Sequence, residues 1–377
     1  MAGIYFHIPF CKQACHYCDF HFSTSLNQKE DMVKAILMEM KTRQTYLAGQ
    51  KIDTIYFGGG TPSLLKADEI NRLIDAVYDL FEVNDGVEIT LEANPDDLLK
   101  DGLQNIRATP VNRLSIGIQS FRDEDLKWMN RAHRSVDADY AVKGAQDMGI
   151  ENITVDLIYA IPGLSMLDWQ RNVQRVIDMN VPHVSAYCLT IEDRTAFGNW
   201  YKKGQLVPAP DEMAGEHFLF LVERLKEAEI FLYEVSNFSK KGFESKHNSA
   251  YWEGAHYLGL GPSAHSYNGD SRSWNVANNS RYMKGIFTHE EVSETEQLDL
   301  RTRYNEWIMT GLRRAKGISI EMAHSTFGVD LLTQFEQDLQ AYLEQGDAVV
   351  ENGFLKLSTR GFLIADRIAS DLFILES

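Results

Sequence analysis

The sequence predicts an α/β fold: a partial (β/α)6 barrel of the TIM-like kind, followed by a C-terminal helical, winged-helix-like unit. Three observations carry this expectation. Six short apolar runs alternate with stretches of helical spacing, and the chemically unusual residues fall at the ends of those runs. Beyond residue 298 the pattern turns to helices and a short β-like tail.

The apolar runs are residues 4–8, 54–57, 87–92, 113–118, 153–158 and 183–188. Between them, residues 28–47, 68–81, 136–148 and 168–179 carry apolar side chains at helical spacing. Strand–helix–strand units in series make parallel strands joined by right-handed crossovers. Six units close only part of an eightfold barrel, and an open doubly wound sheet reads the same way. The barrel is favoured by where Cys11, the glycines at 58–60, Glu92, Gln119 and Asp156 fall. All lie at or near strand C-termini, which form the catalytic face of a barrel.

From residue 190 the pattern loosens. Residues 192–210 are rich in turn formers, 211–228 read as an amphipathic helix, and 237–279 mix Gly, Asn, Ser and aromatics with little periodicity. Helices return at 303–312 and 331–343, then a β-like tail at 348–357 and a last helix ending near Phe373. The expected organisation is a barrel over 1–200, an irregular connecting region over 201–297 and a winged-helix-like unit over 298–377. Winged helices often bind DNA, but residues 301–377 hold 8 basic and 11 acidic side chains, which argues against it.

The whole chain, at 377 residues, is long enough for two domains, and its net charge of −17 opposes binding to a nucleic-acid backbone. No signal peptide opens it and no run is long enough to cross a bilayer, so a cytoplasmic location is expected, with peripheral membrane association at most. Three of its four cysteines lie within eight residues, a pattern of metal binding rather than of disulfides.

Cys11, Cys15 and Cys18 form a C-x3-C-x2-C motif just past the first strand. Three thiolates in a short loop reach three corners of a [4Fe–4S] cubane and leave one iron open for a small chelating ligand. The alternative is structural zinc with His16 or His21 as fourth ligand, although zinc sites favour paired C-x2-C motifs, and no second pair occurs.

The cysteine motif together with Gly58-Gly59-Gly60-Thr61-Pro62 resembles the radical S-adenosylmethionine superfamily. The resemblance implies that the open iron binds the amino and carboxylate groups of S-adenosylmethionine, which one electron then cleaves to a 5′-deoxyadenosyl radical. The glycines have a physical reason, since backbone must approach such a ligand closely. More narrowly, Tyr5-Phe6-His7-Ile8-Pro9-Phe10-Cys11, Ser115-Ile116-Gly117-Ile118-Gln119, Asn130-Arg131-Ala132-His133 and Asp156-Leu157-Ile158-Tyr159-Ala160-Ile161-Pro162-Gly163 are similar to the oxygen-independent coproporphyrinogen III oxidase family. Its C-terminal domain resembles the tail of this chain.

Within that family, three features resemble the haem chaperone branch rather than the true oxidases. The cluster motif begins ten residues in, without the oxidases' long N-terminal arm. Asp19-Phe20 follows Cys18 where the oxidases carry a further cysteine, and His247-Asn248-Ser249-Ala250-Tyr251-Trp252 matches a motif associated with haem binding. The resemblance implies [4Fe–4S], S-adenosylmethionine and haem as cofactors. It implies a haem-accepting protein and an electron donor such as flavodoxin or ferredoxin as partners, while the acidic net charge leaves no nucleic acid among them.

Carried over by position, Tyr5, Gly59, Gly60, Thr61, Glu92, Gln119, Arg131 and Asp156 become the expected S-adenosylmethionine contacts, and His247 the expected haem ligand, while Tyr17, between two cluster cysteines, is expected to pack against the ligand or the cluster. Arg131 suits a carboxylate through its fork. His133, His256 and His265 are weaker haem candidates, and His7 is expected to be structural. Cys188 reads as a small buried apolar residue. No catalytic residue is assigned. The competing reading is oxidative decarboxylation of coproporphyrinogen III in porphyrin biosynthesis, and a third is a purely structural iron–sulfur or zinc protein.

Overall fold

The computed structural model describes residues 2–375. All six expected strands form: β1 (Ala2–Ile8), β2 (Ile52–Gly59), β3 (Val83–Ala93), β4 (Arg113–Gln119), β5 (Ile153–Tyr159) and β6 (His183–Cys188). They lie parallel and in sequence order. The crossovers carry α1 (Lys29–Thr42), α2 (Ala67–Leu80), α3 (Lys100–Arg107), α4 (Asp123–Trp128), α5 (Ser135–Asp147) and α6 (Met166–Asp178).

Alternation along each strand divides the sheet into two faces. Ile4, Phe6, Ile55, Phe57, Leu91, Ile116, Val155 and Val184 are buried, and they belong to one apolar core with the helix residues Ile36, Leu73, Val77, Val142 and Val173. The alternate positions face inward and are polar or aromatic, including Tyr5, Tyr56, Glu92, Ser115, Asp156 and Tyr187. A barrel lined this way has an apolar coat and a chemically rich interior.

Beyond β6 come α7 (Ala196–Lys202), α8 (Asp211–Glu227), β7 (Phe231–Glu234), β8 (Asn237–Ser239), α9 (Lys246–Trp252), β9 (His256–Leu260), β10 (His265–Tyr267), β11 (Ser271–Asn275), α10 (Asn279–Thr288) and β12 (Ser293–Gln297). Residues 201–297, expected to be irregular, therefore contribute six strands to the same sheet. Its order is β12-β11-β10-β9-β1-β2-β3-β4-β5-β6-β8-β7, an open series in which β12 and β7 stand at opposite edges. β9 pairs parallel with β1, adding a seventh parallel strand that the sequence did not reveal. Strands of three to five residues are too short for a periodic signal, and the pairing that joins β9 to β1 spans most of the chain.

The C-terminal unit holds α11 (Leu300–Leu312), β13 (Ile318–Ser319), α12 (Ile320–Phe327), α13 (Leu331–Gln334), α14 (Glu336–Gln345), β14 (Ala348–Glu351), β15 (Phe354–Leu357) and α15 (Ala365–Asp371). Its three strands form a separate small sheet, β13-β15-β14, consistent with the helix–helix–wing pattern. Val235 N donates to Arg313 O at 2.8 Å and Ala315 N to Tyr233 O at 3.0 Å, which ties this unit to β7.

The parallel strands give the barrel two ends. Their C-termini gather at a mouth, where the cysteine loop lies. Their N-termini gather at a base, where α9 packs against β1, β2 and β9.

Candidate functional site

The cysteine loop leaves β1 through a tight turn in which Phe10 N donates to Ile8 O. Cys11 N donates to Ser23 O at 3.0 Å and Ser23 N to Pro9 O at 2.9 Å, so the loop is closed at its neck. Its tip is held from the far side by Met129 O, which accepts from His16 N, and by Asn130 Nδ2, which donates to Ala14 O. Cys11, Cys15 and Cys18 all line one cavity of about 430 Å³ at the mouth. That volume is in the range of ordinary small-molecule sites.

Gly59 and Gly60 are glycines for identifiable reasons. Gly59 has a φ of 102°, and a Cβ there would stand 2.5 Å from the His7 ring. At Gly60 a Cβ would meet Ile8 O and Phe10 O at 2.7 Å, so the glycine loop presses directly on the cysteine loop. Gln119, at the end of β4, has a φ of 69°, and the β4–β5 register shifts between Gly117 and Gln119. Strained non-glycine backbone of this kind gathers at ligand sites.

Tyr17, Gly59, Gly60, Thr61, Glu92, Gln119, Arg131 and Asp156 all line the cavity with the cysteines. Tyr5 does not. It sits one layer deeper, its hydroxyl 3.2 Å from His7 Nδ1 and its ring stacked on Tyr56. Glu92 accepts from Tyr56 Oη at 2.8 Å and from Gly59 N at 3.2 Å. Burial pushes the Glu92 carboxyl up to about 7 and that of Asp156 up to about 6.

The Arg131 fork is engaged by the chain's own groups. Nη2 donates to Gly117 O at 2.6 Å and to Asn94 Oδ1 at 2.5 Å, while Nη1 lies 3.4 Å from Cys15 Sγ and from Tyr17 Oη. Its buried Nε has no partner among the described residues. Here Arg131 braces the cysteine loop rather than reaching freely for a carboxylate.

The cavity also brings in Asn94, Ser115, Tyr187 and Cys188, which the motif reading did not single out as ligand contacts. Asn94, just past Glu92 on the rim of β3, was the most findable, as a polar side chain at a strand end. Cys188 is exposed and faces the cavity, not buried among apolar neighbours as expected. It ends β6, where the inward and outward alternation gives way to the open rim.

The donor set suits an iron–sulfur cluster better than zinc. The zinc alternatives, His16 and His21, are engaged elsewhere, with His16 Nδ1 on Trp128 O at 2.8 Å and His21 Nε2 on Asn279 Oδ1 at 2.7 Å. Among the described residues no three His, Cys, Asp or Glu converge on a single-ion site. Spread thiols on one wall of a cavity fit a polynuclear cluster. Burial raises the Cys11 thiol to about 11 and the Cys18 thiol to about 12, so binding iron there must release protons. Thr61 Oγ1, 3.5 Å from Cys11 Sγ, and the Arg131 guanidinium beside Cys15 supply donors toward sulfur.

His247 is at the opposite end of the barrel. It lies in α9 at the base, its Nδ1 2.8 Å from Thr54 Oγ1 and its ring stacked 4.8 Å from Tyr56. Burial and then the nearby Arg113 hold its imidazole down to about 3, so it is neutral at physiological pH. The cavity beside it, bordered by Gly3, Ala250, Tyr251 and Tyr257, is only about 10 Å³. Of the other histidines, His7 Nε2 meets His21 O at 2.9 Å and His133 Nε2 meets Ile118 O at 3.0 Å, both as buried structural groups. His256 is paired with Gln50, while His265 is exposed beside Trp274.

Residues 5–176 match the model of the radical SAM superfamily, and residues 298–364 match that of the HemN C-terminal domain. The "Heme chaperone HemW" of Lactococcus lactis is 32% identical over 97% of this chain and 95% of its own length. That of Bacillus subtilis is 32% identical over 98% of both chains. The chain belongs to the HemW family of radical SAM proteins. The HemW of Escherichia coli is 35% identical over 70% of this chain and 69% of its own. The solved structure of coproporphyrinogen III oxidase (HemN) from Escherichia coli shares the fold, with a TM-score of 0.84 at 20% identity, over 99% of this chain and 90% of that one. Membership of the superfamily implies a [4Fe–4S] cluster and S-adenosylmethionine. Among the described residues no helix is long and apolar enough to cross a membrane.

Proposed function

We propose that this protein binds haem and delivers it to an acceptor protein, with the mouth of its barrel reserved for a [4Fe–4S] cluster and S-adenosylmethionine. The observation that carries the haem reading is the full-length similarity to chains named heme chaperone HemW, spanning both the barrel and the C-terminal unit. Cys11, Cys15 and Cys18 hold the cluster. Gly59, Gly60, Thr61, Glu92, Gln119 and Asp156 receive S-adenosylmethionine, and Arg131 and Tyr17 brace the cysteine loop around them. When bound and reduced by a donor such as flavodoxin or ferredoxin, the cluster supplies one electron to the sulfonium.

His247 is the residue that would hold haem iron in this reading, through Nε2, which has no hydrogen bond within the described residues. A neutral imidazole is the form that ligates iron. The cavity beside it, about 10 Å³, does not accommodate a porphyrin, so the haem reading rests on the similarity and not on the lining of this site.

The test is anaerobic reconstitution followed by separate incubations with haemin and with coproporphyrinogen III, S-adenosylmethionine and reductant. A Soret band that is lost in His247→Ala, with no porphyrin turnover, is the expected result. Conversion of coproporphyrinogen to protoporphyrinogen would instead assign the oxidase activity.

A further inference from the structure

We infer that α7 and the chain just after it form the docking surface for an acidic one-electron carrier protein, directly behind the cysteine loop. This rests on the reading above, in which such a carrier reduces a cluster held by Cys11, Cys15 and Cys18.

A protein does not enter a cavity of about 430 Å³, so a carrier must reach the cysteine loop from outside. Two flanks of the loop are unfavourable to an acidic partner. At one, Lys12 is outnumbered by Asp96 and Asp97, which both pair with it, and at the other Asp19 is exposed at the cavity rim. His16, the residue after Cys15, turns away from the cavity and onto α7. Its ring meets that of Trp200 edge-on with centroids 4.8 Å apart, and its carbonyl accepts from Phe197 N at 3.0 Å. Phe197 is buried and stacked 4.0 Å from Trp128, and Thr195 Oγ1 caps α7 by accepting from Gly198 N at 3.0 Å. The helix is therefore fixed on the loop, and its outer surface lies one layer of side chains behind Cys15.

That surface has a charge opposite to the chain as a whole. The net charge is −17, yet residues 194–210 hold three basic side chains, Arg194, Lys202 and Lys203, and no acidic one. All three are exposed. Lys202 pairs with the exposed Asp193 at 3.2 Å, while Arg194 and Lys203 form no ion pair among the described residues. Tyr201, 53% exposed, and Val207, 77% exposed, belong to the same stretch. Positive charge around a few exposed apolar side chains suits a small, transient interface, in which electrostatic attraction guides the encounter. An acidic carrier is drawn to α7 and repelled by Asp19 and the Asp96–Asp97 pair, so charge alone orients it toward the back of the loop. The transfer moves one electron from the reduced carrier to the cluster, raising the first and lowering the second by one oxidation level, with no bond or proton moved.

The test mixes full-length, cluster-reconstituted protein with an acidic flavodoxin in its hydroquinone form and follows cluster reduction by stopped flow. Raising the salt from about 0.05 M to about 0.5 M is expected to slow the second-order rate at least about tenfold, a measurement that needs no variant. Lys202→Glu/Lys203→Glu is expected to slow it at least about tenfold at low salt, with reduction by dithionite kept within about twofold. Lys240→Glu/Lys241→Glu makes the same change of net charge beside Pro182, at the start of β6 and thus at the base, and is expected to slow it less than about threefold. A salt-independent rate, an unchanged rate in the α7 variant, or equal slowing by the two variants would each overturn the assignment. Self-association of the parent that the α7 variant abolishes, with carrier kinetics unchanged, would give the face to a second copy of the chain instead. Failure of dithionite itself to reduce the reconstituted protein is a different outcome: it removes the iron–sulfur reading, and the docking surface with it.

Discussion

The two ends of the barrel are made from the same strands yet do opposite things. The mouth is open because no helix among the described residues covers it: Gly59 and Gly60 let the glycine loop press on the β1 end and the cysteine loop, and both border the cavity. The base is closed because α9 fills it. Glu88 accepts the N–H groups of Lys246 and His247, both at 3.1 Å, and so caps that helix with a carboxylate from inside the barrel. Arg113, buried beside Glu88, donates to Thr154, and His183 bridges Thr154 and Tyr233. Polar interiors of equal richness become a ligand cavity at one end and a sealed network at the other. What differs is whether a helix supplies the missing hydrogen-bond partners.

The base is the place to break this contrast most severely. Glu88→Ala leaves Arg113 buried without its acidic neighbour and uncaps α9, and is expected to cost about 3–5 kcal/mol in urea unfolding. A loss below about 1 kcal/mol would mean that the helix is held by packing alone. At the mouth, Gly60→Ala puts a methyl 2.7 Å from two backbone oxygens of the cysteine loop. A stability loss of about 1–3 kcal/mol is expected, together with at least about tenfold weaker S-adenosylmethionine binding by equilibrium dialysis.

The smallest effect is one of pH. The Glu92 carboxyl, raised by burial from 4.5 to about 7, keeps its proton in the folded chain where the unfolded chain has already lost it. The folded state therefore binds more protons across that window, and stability of the cofactor-free protein falls as pH rises through it. The slope contributed is at most about 1.4 kcal/mol per pH unit. Glu92→Gln removes the titration, so its unfolding midpoint should change less between about pH 5 and about pH 8 than that of the parent. An identical pH dependence in both proteins would place the proton elsewhere, with Asp156 the next candidate.

Much of the mouth was legible beforehand, because its chemistry is written in short, local patterns. C-x3-C-x2-C, the glycine run and the polar residues at strand ends all lie within a few residues of one another or at predictable positions of a βα repeat. The cavity accordingly gathers Cys11, Cys15, Cys18, Thr61, Glu92, Gln119 and Asp156. Tyr5 was displaced by one layer because side chains two residues apart on a strand share a face but not a depth. Cys188 departs from the buried position its type suggests because the end of β6 opens onto the cavity rim. Residues 237–279 looked irregular because β8 to β11 are only three to five residues long and because β9 is anchored on β1, far away in sequence.

The sequence by itself determined the alternation of strands and helices, the thiol triad and the close-approach glycines, since each depends on residues near one another along the chain. Only the tertiary structure decided that the His247 motif lies at the base, a barrel's length from the cysteines, and that Tyr56 stands between them. Those relations depend on which strand ends meet and which helix covers the open end. That is set by packing and hydrogen-bond satisfaction across the whole sheet, not by any local pattern.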